Sequence, residues 1–201
     1  MTSQKKNRFY EVFAAIGFLV ATVSYSIGSN IMETAGADVV KNGACANVLC
    51  VGFLLELINC VAVIIIGVLL FLRLREFNRP ITLGYMLSRM IESLLLCVGG
   101  LLVLSGVNEA LQMHALLFNL AMIILGVYSA IFCIFLFRSS IGPKWLFVIG
   151  VAGYVSLAIY AVINIVSSSE TAPMLLFAPG AVFEIVFPIW LIVKGFNVKR
   201  V

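Results

Sequence analysis

Long apolar runs, separated by short clusters of charged and turn-forming residues, divide the 201-residue chain into six segments. A helix rising about 1.5 Å per residue needs roughly 20 apolar residues to cross about 30 Å of hydrocarbon. Six stretches reach that length, at about 9–30, 47–74, 83–105, 114–137, 144–166 and 173–195. The first continues past Ser24, beyond the short apolar core of a cleaved signal peptide, so it is read as a retained span. The fifth starts after Gly142-Pro143, where proline suits a helix N-terminus. Lipid-exposed sheet edges cannot satisfy their backbone groups, and the dyad alternation of an outer-membrane barrel is absent. The pattern predicts an all-α membrane protein, with six transmembrane helices in one bundle and a single domain over 1–201. The stretch 31–46 is the longest non-spanning segment; it reads equally as an interfacial helix or a lid.

Composition agrees with this reading. The chain is 63% apolar and 11% charged, with a mean hydropathy of +1.15; soluble domains run near roughly 45–50% and 25%. Charge then sets orientation. Lys5, Lys6, Arg8, Arg73, Arg75, Arg79, Arg138, Lys144, Lys194, Lys199 and Arg200 all fall at one set of span ends, and only Lys41 falls on the other. Because cytoplasmic loops retain positive charge, both termini are expected in the cytoplasm. Topology and anionic headgroups account for the net charge of +4 without nucleic acid as a partner.

Charged groups at membrane depth cost about 2.5–3.5 kcal/mol each on insertion scales, so those retained there are candidates for function. Glu56 lies in the second span, Arg89 and Glu92 three apart on one face of the third, and Glu184 near the middle of the sixth. Arg89 is expected to pair with Glu92, Glu184 or both in bidentate geometry. One arginine cannot neutralise three glutamates, so at least one carboxyl is expected to be protonated or to face a cation or a wet pocket. Asn59, one turn from Glu56, and Asn119 in the fourth span extend the candidate set, with Ser156 and Asn164 as further polar groups. The competing reading is interhelical glue, each hydrogen bond contributing about 0.6 kcal/mol. Pro179 and Pro188 flank Glu184 and are expected to remove backbone hydrogen bonds from the sixth span and kink it.

Other chemistry is sparse. The single histidine, His114, sits at the edge of the fourth span and reads as an interfacial residue. No metal-ligand spacing, Cys-x-x-Cys, phosphate loop or Gly-x-Ser-x-Gly elbow is present, so no cofactor or metal is expected and an enzyme is the less favoured class. Cys45 and Cys50 could bridge in a non-cytoplasmic compartment, whereas Cys60, Cys97 and Cys133 read as packing residues. Gly99-Gly100 and the pair Gly150 and Gly153 mark places where helices can approach closely.

Several motifs together carry a family resemblance. They are Phe53-Leu54-Leu55-Glu56-Leu57, Leu74-Arg75-Glu76-Phe77-Asn78-Arg79, Tyr85 through Arg89 to Glu92-Ser93, and Phe137-Arg138-Ser139 with Pro143-Lys144-Trp145-Leu146. The last is Phe183-Glu184 leading to Trp190-Leu191-Ile192-Val193-Lys194-Gly195-Phe196. On these the chain resembles the bacterial membrane family catalogued as domain of unknown function 4386. The resemblance implies a six-helix protein of the bacterial inner membrane and brings no activity with it. Two functions stay open. One is binding or transport of a small amphipathic or cationic solute, or a lipid-like ligand, at Glu56, Asn59, Arg89, Glu92, Glu184 and Asn119. The other is a structural or regulatory subunit, with a protein partner or a second copy, in which the same charges only specify packing.

Overall fold

The computed structural model describes residues 3–42, 46–106, 109–167 and 174–197. The chain runs α1 (Ser3–Asn42), α2 (Ala46–Leu74), α3 (Arg79–Ser105), α4 (Ala110–Ser139) and α5 (Lys144–Ser167); a 3-10 turn (Met174–Phe177) then leads into α6 (Ala178–Val193). Six segments are long and apolar enough to cross a membrane, and no strand occurs among the described residues. Each helix packs on its neighbours in sequence, and α6 returns to pack on α1. The result is a ring of six helices. Outward positions such as Val23, Leu54, Val61, Leu94 and Val148 are strongly exposed apolar residues, as a surface solvated by lipid requires.

Local sequence explains the helix boundaries. Asn78 caps α3 by accepting the Ile81 backbone N–H at 3.1 Å, with Pro80 in the first turn, and Gly106 ends the helix at a φ of +66°. Glycines allow the closest approaches. A Cβ on Gly153 would lie 2.6 Å from the Gly180 backbone, and one on Gly126 would lie 2.7 Å from the Tyr154 carbonyl oxygen. Gly150 lies against Cys133 and Phe183, Gly99 against His114, and Gly100 against Glu56 and Phe53, as the glycine pattern predicts.

Two expectations change. The stretch after residue 30 is neither a separate helix nor a lid through Asn42, because α1 continues through it unbroken. No proline interrupts it, and Met32 and Ala35 bury a small second core with Leu49, Val103 and Ala110. Pro179 does not break the sixth span either. It occupies the first turn of α6, where the amide hydrogen it lacks would have no helical partner; only Pro188 lies in the helix interior. Cys45, and with it the expected Cys45–Cys50 bridge, lies outside the described residues.

At the basic end of the ring the termini are tied together. Arg8 donates to the Leu191 carbonyl at 2.8 Å and to that of Ile192, satisfying acceptors left open at the end of α6. Glu11 accepts from Arg73 Nε at 2.6 Å and pairs with Arg8 at 3.4 Å. Asn197 N–H donates to Ile141 O at 2.8 Å, joining the chain end to the α4–α5 connection. Thus Arg8 and Arg73, read from the sequence as orientation signals, hold the fold together.

Candidate functional site

The ring encloses a cavity of about 200 Å³ to which all six helices contribute. At its centre α3 presents Arg89 and Glu92, one turn apart and both buried. Arg89 Nη1 donates to both Glu92 oxygens, at 3.0 and 3.3 Å, and Arg89 Nε donates to the Tyr85 hydroxyl at 3.0 Å. Arg89 Nη2 donates to the Tyr154 hydroxyl at 3.4 Å, and Tyr154 in turn donates to Glu184 Oε1 at 3.4 Å. The rings of Phe18 and Tyr85 face the guanidinium at 5.4 and 5.3 Å from centroid to Cζ. Gly67 permits this arrangement by leaving α2 room beside Arg89 Cβ.

The expected bidentate fork is therefore replaced. A single nitrogen serves both Glu92 oxygens, and Glu184 is reached through Tyr154 rather than directly. Nη1 is taken by Glu92, while Nε and Nη2 go to the hydroxyls of Tyr85, one turn back on α3, and of Tyr154 on α5. The sequence reading missed Tyr154, because α5 carries no charge near it to draw attention; the spacing of Tyr85, four residues before Arg89, was the available signal for the other tyrosine.

Four of the six candidate residues line the cavity: Asn59, Arg89, Glu92 and Glu184. Glu56 and Asn119 do not. Glu56 is 1% exposed and points to the far end of the ring, where its Oε1 lies 3.2 Å from His114 Nε2 and its Oε2 has no hydrogen-bond partner. This overturns the interfacial reading of His114, which is buried because the notch at Gly99-Gly100 admits it beside Glu56. Asn119 donates to Ala115 O of its own helix at 2.8 Å. Cys60 and Ser93 interlock α2 and α3: Ser93 Oγ donates to Cys60 O at 3.1 Å and Cys60 Sγ to Ser93 O at 3.4 Å. Among the described residues no group of three metal-ligating side chains occurs.

The cavity wall thus combines one guanidinium, two carboxyl groups and an aromatic belt. Tyr25 and Phe118 stack across its far end, with centroids 5.7 Å apart and planes 7° from parallel. Such a chamber can hold a molecule with a positive head and an apolar body.

Ring and chamber define a multi-pass helical membrane protein. It belongs to the family described as domain of unknown function DUF4386, whose model matches residues 12–195. Neither among curated proteins nor among solved structures does the chain find a match.

Proposed function

We propose that the protein is a transporter of a small amphipathic cation, bound in the central cavity at Glu92 and Glu184. The observation that carries this is the charge count on the cavity wall, two carboxyl groups against Arg89 alone. Ionisable groups at membrane depth mark solute pathways, and aromatic faces add attraction for an organic cation. Asn59, Arg89 and Tyr154 would orient the bound molecule. The eleven Lys and Arg residues that the sequence puts at one set of span ends support a cytoplasmic placement of both termini in a bacterial inner membrane.

The test is uptake of radiolabelled benzyltrimethylammonium into vesicles containing the purified protein. Wild type should give saturable uptake above protein-free vesicles, and E92Q and E184Q should lose it. Equal uptake by these variants and wild type would contradict the proposal.

A second reading has one observation in its favour: every nitrogen of the Arg89 side chain already has a partner within the protein. In that reading the cluster only fixes helix packing in a non-transporting subunit. It predicts that E92Q and E184Q lose thermal stability, that wild type gives no uptake, and that native purification recovers a stoichiometric partner.

A further inference from the structure

The ring is not closed to the same extent along its length. Toward the basic end α1 and α6 are joined by Arg8 at the carbonyls of Leu191 and Ile192 and by the edge-to-face contact of Phe18 with Phe187, centroids 5.6 Å apart. Midway along α6, Thr22 of α1 lies beside the Glu184 carboxyl. The 3-10 turn packs on α5 and α6, and among the described residues neither the turn nor α5 brings a Cα within 8 Å of one in α1. Ser156 Oγ donates to Leu176 O at 2.7 Å, and Tyr160 packs on Phe177 with centroids 4.4 Å apart, so the turn is held to the α5 side.

Exposure of the cavity wall follows the same division. Asn59, Arg89, Glu92, Leu96, Tyr154 and Leu157, on α2, α3 and α5, are buried. On the two helices flanking the gap, Ser26 and Ala181 are exposed and Thr22 and Glu184 are partly exposed. Thr22, Ser26 and Ala181 have short side chains, so an opening is left beside Glu184. The residues beside it, Val23, Ile27, Val182 and Ile185, are apolar and 47–59% exposed, as lipid-facing positions are. The opening therefore gives onto hydrocarbon.

From this we infer that the cavity communicates sideways with the bilayer between α1 and the start of α6, and that its ligand is a cationic amphiphile whose head enters while its alkyl tail stays in lipid. The inference rests on the proposed cation site and adds the substrate class and the route. A chamber of about 200 Å³ has room for a quaternary ammonium with one ring, and a long chain must project through the gap. Loading along this route spares the tail a passage through water. The charged floor at Glu92 and Glu184 then selects the head.

The experiment uses the wild-type protein in lipid nanodiscs with a benzyldimethylalkylammonium of dodecyl length carrying a photoreactive diazirine on the tail. After illumination the adducts should fall within residues 22–27 and 178–185, and excess benzyltrimethylammonium should suppress them by at least ~10-fold. Adducts spread over the lipid-facing surfaces of all six helices and insensitive to the short cation would overturn the lateral route. If radiolabelled benzyltrimethylammonium still bound in that case, the cation site itself would stand. No binding of either compound would remove both.

Discussion

The Tyr154 hydroxyl stands between Arg89 and Glu184, 3.4 Å from a guanidinium nitrogen of one and 3.4 Å from a carboxyl oxygen of the other. It joins α3, α5 and α6 across the cavity, so the charged groups are spaced by a neutral relay instead of meeting. Tyr154→Phe keeps the ring against Phe183 and removes only the relay. We expect a stability loss of about 1 kcal/mol, read as a lowered Tm in detergent, together with weaker cation binding. Unchanged binding would detach the relay from the site.

Glu56 and His114 form a separate buried pair, and their effects should separate from the cavity. His114→Ala leaves a carboxyl group without its hydrogen-bond partner at 1% exposure, which should cost about 1–3 kcal/mol of stability. Glu56→Gln retains an oxygen for the histidine. It should leave uptake of benzyltrimethylammonium intact where E92Q abolishes it, because Glu56 is not on the cavity wall. Thermal denaturation and vesicle uptake, run on both variants, check this pair of outcomes.

Gly153→Ala tests the packing that positions Tyr154. The new methyl carbon would meet Gly180 backbone atoms at 2.6 Å, and backbone cannot rotate away as a side chain can. Overpacking of this kind costs about 1–3 kcal/mol. Gly106→Ala provides the contrast, since nothing lies within 4 Å there and only the positive φ opposes it, at about 1 kcal/mol. The larger fall in Tm should belong to Gly153→Ala.

At the basic end, Glu11 holds Arg73 at 2.6 Å with both side chains at least nine-tenths buried. Glu11→Ala strands the Arg73 charge and releases Arg8 from its ion pair. Removing one partner of a buried pair costs about 3–5 kcal/mol. Glu11→Gln, which still offers an oxygen to the guanidinium, should cost less than Glu11→Ala in the same denaturation series.

The six helices were legible in the sequence because the bilayer imposes a minimum apolar length that few other settings demand. The Arg89–Glu92 pair was legible for a related reason, since helical periodicity alone puts residues three apart on one face. Contacts between helices were not legible. Nothing in the sequence separates Glu56 from Glu92 and Glu184, yet Gly99-Gly100 lets His114 reach Glu56 and removes it from the cavity. Pro179 misled because a helix start cannot be told from a helix interior without the preceding 3-10 turn in view. Glu11 drew no attention, since a carboxyl beside a basic N-terminus looks solvated until Arg73 is brought onto it from α2.

The most direct measurement is equilibrium binding of benzyltrimethylammonium to the purified wild-type protein, set against its uncharged carbon isostere neopentylbenzene. The account predicts saturable binding of the cation, at least ~10-fold preference over the isostere, and loss of that preference in both E92Q and E184Q. Equal affinity for the two compounds, or a preference that survives both substitutions, would contradict a cation site between these glutamates.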